Sequence, residues 1–300
     1  MGVHWTDLVD PSREEILGAV AARIDPDAIE VLAEPAGDGR AVRPLLEGHG
    51  SYVLAVLAHP VARPGEGRVD YLELDVIATP SAVVTVRKTG PRGDVAPVDS
   101  IAARIDAGAP CGGVFHGAVD DAADAFLELV DGVYESIDDL EGDIEQLSGP
   151  HVRRRIAQLR NELLLARRAA SGTRGVARRI VDGRVDVGNS ELFPAEVEAR
   201  FVDTYETLVR VTEELDVARD LLGGVRDYYQ AKIAEQQNEV AKKLTVIASL
   251  VLVPSLIVGF FGQNFAGEFR AWYWGIGISV GLIVATTIVQ LALFRWRHWL

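Results

Sequence analysis

Gly259 Phe260 Phe261 Gly262 Gln263 Asn264 Phe265 closes one long apolar run just before a second begins, and its reading decides the fold. Leu244 to Phe261 is an 18-residue run with no charge, and Trp272 to Phe294 is a 23-residue run whose one strongly polar side chain is Gln290. As helices they reach roughly 27 and 34 Å, against a hydrocarbon core of about 30 Å. Both runs predict membrane spans, 244–261 and 272–294, so the stretch between them, 262–271, is the turn of a transmembrane hairpin.

Flanking charge orients the hairpin. Lys242 and Lys243 precede the first span, and Arg295, Arg297 and His298 lie in the short basic tail 295–300, whereas the turn carries only Glu268 and Arg270, which cancel. The excess of basic residues at the two outer ends places both termini in the cytoplasm and the turn outside. Trp272, Tyr273 and Trp274 at one end, with Trp296 and Trp299 at the other, fit interfacial aromatic belts. The expectation is a multi-pass protein of a bacterial-type inner (plasma) membrane. Met1 Gly2 Val3 His4 Trp5 has neither the basic flank nor the apolar core of a signal peptide. Gly2 with Thr6 fits a myristoylation pattern, which is set aside because a span is present elsewhere.

The chain of 300 residues has a formal charge of −14, which argues against a nucleic-acid partner. Its apolar residues are piled at the C-terminus, so the first 240 or so read as an acidic, soluble region. The single cysteine, Cys111, excludes an intrachain disulfide and a cysteine-cluster metal site. His4, His49, His59, His116, His151 and His298 are scattered, and neither a Ser/His/Asp grouping nor a Gly-rich phosphate loop occurs, so an enzyme is not expected and no resident cofactor is implied.

Residues 1–130 read as a cytoplasmic α/β domain. Asp10 followed by Pro11 predicts a helix start leading into the apolar stripe Ile16, Leu17, Val20, Ile24, and Asp25 Pro26 Asp27 predicts a second. Residues 51–57, 71–77 and 82–86 read as strands in antiparallel pairing, separated by Gly and Pro clusters. Asp75, within the second run, is expected to be an exposed or turn-facing carboxylate.

Residues 131–194 are expected to form a helical hairpin. From Asp120, apolar residues recur at three and four through Phe126, Val130, Val133, Ile137, Leu140 and Ile144, as on one helix face. The other face carries Asp138, Asp139, Glu141, Asp143 and Glu145, which reads either as a solvated face or as a ridge that concentrates cations. The next helix, about 152–181, has an arginine-rich outer face and is expected to lie against the first with matched charge.

From Ala195 to Phe261 the only proline is Pro254, which predicts one helix of about 100 Å. Its first part, 195–243, is a stalk ahead of the first span. A helix that long needs partners. Gly223 and Gly224, costing about 1 kcal/mol each, predict close packing or a bend, and Pro254 predicts a kink.

The sequence Asn238 Glu239 Val240 Ala241 Lys242 Lys243 Leu244 Thr245 Val246 Ile247 Ala248, then Pro254, Gly259 and Phe261 to Phe265, and the terminal Trp299 Leu300, resembles the CorA family of divalent-metal channels. Trp5 to Leu8, Tyr71 to Asp75, Val84 to Val86 and Phe201 to Tyr205 add to the resemblance, which covers nearly the whole chain. It implies a homopentameric funnel in which five first spans line a pore, second spans form an outer ring, and the cargo is a divalent cation, magnesium first, gated by cytoplasmic divalent cation. Zinc, cobalt or nickel transport of the ZntB type, or a membrane-anchored cation-responsive sensor without transport, are the alternatives.

Residue by residue, the resemblance implies a selectivity filter at Gly262, Gln263 and Asn264. It implies polar pore positions at Asp227 and Asn238, which are 11 residues apart and so on one helix face. A pore hydroxyl at Ser255, apolar constrictions at Leu244 and Leu252, and a regulatory metal ligand at Asp203 complete the set. For Asn264 the competing reading is a helix C-cap, and for Asp203 a surface charge. The family signature is Gly-Met-Asn, and here Gln263 replaces the methionine. The usual Met-Pro-Glu-Leu segment is also absent from Ala266 Gly267 Glu268 Phe269 Arg270, which leaves the choice of ion open.

Overall fold

Alternation of apolar and polar residues near the N-terminus, and helical periodicity beyond it, become twelve elements among the described residues of a computed structural model. It describes residues 3–20, 24–36, 42–63, 68–145, 149–185, 192–264 and 269–299, with the backbone alone for 263, 264 and 269–273. In chain order they are β1 (His4–Val9), α1 (Arg13–Ala19), α2 (Pro26–Ala33), β2 (Leu45–Gly48), β3 (Val53–Arg63), β4 (Arg68–Ala78) and β5 (Ala82–Arg87). There follow α3 (Asp99–Asp106), α4 (Cys111–Asp143), α5 (Gly149–Val181), α6 (Ala195–Asn264) and α7 (Phe269–Trp296). The chain divides into two compact units, Met1–Arg226 and Asp227–Leu300.

The first unit is built on a five-stranded sheet of order β1-β5-β4-β3-β2. β2, β3, β4 and β5 pair antiparallel, as expected for the last three, and β1 pairs parallel to β5 with Trp5 opposite Val83. Neither β1 nor β2 was expected, because each is too short or too polar to show alternation. β3 continues through Pro60 to Arg63, past the expected end at Leu57. The proline is tolerated because β2 pairs only with Val53–Val56, so Pro60 has no neighbouring strand there to require its N–H.

Each sheet face has its own cover. Leu8, Tyr52, Leu54, Ile77, Val84 and Val86 pack under α1 and α2, where Ile16, Ala28 and Leu32 point inward. α4 and α5 lie across the strands from the other side. The start of α1 differs from expectation: Ser12, not Asp10, is the N-cap, in a capping box with Glu15. Asp10 instead sits at φ 45° and its carboxylate accepts from the Thr89 backbone N–H at 2.9 Å. Leu17 is exposed although Ile16, Val20 and Ile24 are buried, since it lies about 100° round α1 from the inward Ile16. α2 begins as expected, with the Asp25 side chain accepting from the Asp27 N–H and Pro26 in its first turn.

α4 begins at Cys111, nine residues before the periodic pattern becomes legible, so 130/131 falls inside it. The early turns are buried among small residues, including Gly112 and Gly113, which give no amphipathic signal. α4 and α5 pack side by side through apolar faces, Val133, Ile137 and Leu140 on one and Val152, Leu159 and Leu163 on the other. The residues of those faces are apolar. The Arg167 guanidinium of α5 donates two hydrogen bonds, at 2.7 and 3.1 Å, to Asp216 of α6. Both partners are largely exposed, so the pair contributes about 1 kcal/mol or less.

α6 continues unbroken past Gly223 and Gly224, where an added Cβ would meet nothing, so close packing within the chain does not explain them. Close approach does explain Gly112, where a Cβ would collide with the backbone carbonyl of Leu192. Gly112→Ala is therefore expected to destabilise the first unit by about 1–3 kcal/mol. A lowered melting temperature in a thermal melt of the full chain checks this.

Candidate functional site

The C-terminal unit holds apolar surface that one chain cannot cover. α6 and α7 each contain a stretch long and apolar enough to cross a membrane. Leu252 and Leu256 are 69% and 72% exposed, and Val251, Val258, Phe260, Ile288 and Val289 are exposed as well. In water such a surface costs about 25 cal/mol per Å², so lipid or other chains must take it up.

One side of α6 is covered. Val246 and Ile257, 11 residues apart and hence on one line of the helix, are 4% and 8% exposed. Nearby, the Gln290 amide of α7 donates to the Ser249 carbonyl at 3.5 Å, and Ser279 is buried. Pro254 lies within α6 and leaves the Leu250 carbonyl without its usual donor. In the same region the Ser249 and Ser255 hydroxyls bond back to the Val246 and Val251 carbonyls, at 3.0 and 2.7 Å.

The residues singled out in the sequence gather on a different side. At about 100° per residue, Asp227, Asn238, Leu244, Leu252 and Ser255 fall within a sector of about 120°, and Gly259 falls in its middle. All five are exposed. The line through Val246 and Ile257 runs on roughly the opposite side of the helix. Gly262 is exposed near the end of α6, which runs through Gln263 to Asn264, so the helix extends beyond the expected end of the first span at Phe261. The side chains of Gln263 and Asn264 lie outside the described residues, as do Phe265 to Glu268 of the expected turn.

Asp203 projects from α6 in the first unit and is exposed. Its neighbour Thr204 is buried and donates to Asp120 of α4 at 2.8 Å, while His116 Nε2 lies 3.0 Å from the same hydroxyl. The same hydroxyl also lies 3.3 Å from the Arg200 carbonyl, so either ring nitrogen of His116 can carry the proton. Its Nδ1 is buried without a hydrogen-bond partner, and burial pushes the imidazole pKa down. Arg104 completes the cluster, 3.2 Å from Asp120. Among the described residues no group of three or more His, Cys, Asp or Glu side chains is arranged to hold a metal ion, around Asp203 or elsewhere. The acidic residues of α4, Asp138, Asp139, Glu141 and Asp143, are exposed, as is Glu145 beyond its end, which both a solvated face and a cation-concentrating ridge require.

The sheet contains two charge clusters that the sequence did not reveal. Asp7 accepts from Thr85 at 2.7 Å and from Arg87 at 3.1 and 2.5 Å, and Trp5 donates to Thr85 at 3.1 Å. On the opposite face, Asp75 is fully buried, contrary to the exposed carboxylate expected, and lies beside Lys88 and Glu73. Alternation in β4 puts Glu73, Asp75 and Ile77 on one face, which reads as a polar edge. Only the layer formed by α1 and α2 makes it a core.

The family described as CorA-like Mg2+ transporter protein matches residues 1–296. The cobalt/magnesium transport protein CorA of Thermotoga maritima is 25% identical over 189 residues, 62% of this chain and 52% of that protein. The zinc transport protein ZntB of Yersinia enterocolitica is 26% identical over 149 residues, 50% of this chain and 44% of that protein. The chain thus spans about half the length of the curated relatives it matches. The complete structure of the CorA magnesium transporter from Methanocaldococcus jannaschii has the same fold, with a TM-score of 0.77 at 16% identity over 99% of this chain and 91% of that one. A match that runs through the sheet, the long helix and both apolar helices makes this chain a member of the CorA-like Mg2+ transporter family.

Proposed function

We propose that this chain is the protomer of a homopentameric divalent-cation channel, with magnesium as the first choice of ion. The observation that carries the reading is the exposed sector of α6 that brings together Asp227, Asn238, Leu244, Leu252 and Ser255, opposite the side covered by α7. The stalk part of that sector carries a carboxylate and a carboxamide, which suit water, and the span part carries exposed leucines, which do not. Five copies facing a common axis satisfy both demands. Polar side chains then line the wide cytoplasmic stretch, and rings of Leu244 and Leu252 form constrictions that close by dewetting.

Asn264 stands at the outer mouth in this reading, with Gly262 and Gln263 beside it. Five carboxamide oxygens suit an ion that dehydrates reluctantly, since neutral oxygens bind the hydrate without stripping it. Gln263 adds a second amide next to that ring. It keeps zinc, cobalt and nickel as the alternative cargo, a reading also supported by the similarity to the zinc transport protein ZntB. The basic residues Lys242, Lys243, Arg295 and Arg297 favour cytoplasmic termini in a bacterial-type inner membrane.

Asp203 is proposed as one ligand of a regulatory site between neighbouring subunits. Divalent cation bound there bridges acidic surfaces and favours the closed ring, and its loss releases like-charge repulsion that favours opening. The cation acts as cargo and regulator, and no resident cofactor is required.

Flux of magnesium, zinc, cobalt and nickel into proteoliposomes tests the channel. Asn264→Ala is expected to cut the preferred ion's flux about tenfold or more, the equivalent of about 1.4 kcal/mol. Gln263→Met is expected to change the ranking of the four ions. Flux that is absent, or indifferent to Asn264, leaves a membrane-anchored sensor as the better account. For the regulatory site, limited proteolysis of the reconstituted protein should slow when magnesium is added. The protection should shrink in Asp203→Ala, and equal cleavage with and without the ion would remove Asp203 from regulation.

A further inference from the structure

Between the sheet and α2 lies a closed group of three ionisable side chains whose charges do not balance. Asp75 is 0% exposed, Lys88 4% and Glu73 17%. The Lys88 ammonium donates to the Val31 carbonyl in the last turn of α2 at 2.8 Å and contacts Glu73 Oε1. It stands 3.3 Å from Asp75 Oδ2, near enough for an ion pair but outside hydrogen-bond geometry, so neither Asp75 oxygen accepts a hydrogen bond. The strand partners of Asp75 are Val56 and Val86, and the α2 residues turned to this face, Ala28 and Leu32, are apolar. The charged groups that act on Asp75 are Lys88 and Glu73.

Two carboxylates and one ammonium sum to a net negative charge. Holding that charge in an apolar layer costs several kcal/mol, whereas taking up one proton removes it. Asp75 is the place for the proton, being the most buried of the three and the one whose oxygens have no donor. Water has a way in: Lys88 and Thr89, with Asp10, Leu32 and Glu34, line a cavity of about 350 Å³ at the C-terminal end of α2.

We propose that the triad Glu73, Asp75 and Lys88 is a proton-binding site, in which one proton from water, carried by Asp75, keeps the cluster neutral and holds the last turn of α2 on the sheet. Loss of that proton to water leaves Lys88 to neutralise two carboxylates. The ammonium is drawn from the Val31 carbonyl toward Asp75, and α2 loosens. Burial pushes the Asp75 carboxyl up to about 8, opposed by the attraction of Lys88 and helped by the charge of Glu73. In an opened chain the same group titrates near about 3.9. Between those values the closed form holds a proton that the opened form lacks, so opening becomes easier as pH rises, by up to about tenfold per unit, and levels off above about 8. This site does not depend on what the protein transports.

Infrared spectra of the full chain in nanodiscs, taken from about pH 6 to about pH 9, read the proton directly. The expected result is a protonated-carboxyl band that disappears as pH rises through the upper part of that range and is absent from Asp75→Asn. The band should shift when the aspartate carboxyl carbons are isotopically labelled. In Glu73→Gln, where one carboxylate faces one ammonium, its loss should move to lower pH. Hydrogen exchange at the α2 amides, as the ratio of wild type to Asp75→Asn at each pH, should rise up to about pH 8 and then flatten. A band that survives in Asp75→Asn, or one insensitive to aspartate labelling, overturns the assignment to Asp75. An exchange ratio independent of pH overturns the link to α2. If Asp75→Asn does not fold, labelling and Glu73→Gln still decide the proton's place.

Discussion

The apolar surface of α6 and α7 is the constraint on which the C-terminal unit depends. Two helices within one chain cover each other along one line, marked by Val246, Ile257 and Ser279, and leave the rest of their circumference bare. The hydrophobic effect does not tolerate that in water, and a bilayer accepts only the parts with no charge or carboxamide. A helix whose uncovered sector runs from Asp227 through Asn238 to Leu252 calls for two surroundings, water along the polar stalk and an apolar one along the span. The proposed ring supplies both. In such a ring the backbone hydrogen bonds of α6 stay internal, as the membrane demands, except near Pro254.

The first unit obeys a different constraint, the cost of buried charge. Its sheet is apolar where α1, α2, α4 and α5 cover it, yet it carries the Asp7–Arg87 pair on one face and the group around Lys88 on the other. The first is matched one to one and fully hydrogen-bonded. The second is not, and the imbalance is what gives it the capacity to respond to pH. Lys88 also ties β5 to the end of α2 through the Val31 carbonyl, so a change at Asp75 is felt outside the sheet. His116 is buried likewise, and burial lowers its pKa, while Thr204 links it to Asp120 and Arg104.

Much of the architecture was legible because it is written in runs and periods. The two apolar spans, the long proline-poor helix and the strands β3, β4 and β5 each repeat a simple pattern over many residues. β1 and β2 did not show because they are short and mixed in polarity, and the start of α4 did not show because Cys111 to Ala118 is buried on all sides. Ser12 took the cap from Asp10 because Glu15 completes a reciprocal pair with it, a local competition that residue preferences do not rank. For the candidate site, spacing sufficed to put Asp227 and Asn238 on one face. The carboxylates expected to partner Asp203 were not legible, and among the described residues none forms a metal-holding group with it.

By itself the sequence determined that two helices are long and apolar enough to cross a membrane, that one helix runs far beyond the width of a small domain, and that basic residues flank the pair. Each follows from composition summed along a contiguous stretch, which folding does not alter. Tertiary structure alone decided which side of α6 is covered, and that Asp75 lies in a core instead of on a surface. Burial is a property of what lies opposite a residue, and α2, more than forty positions away in the chain, is what lies opposite Asp75. An aspartate in an alternating strand looks the same whether its face meets water or a helix, and only the packing tells whether it can keep its charge.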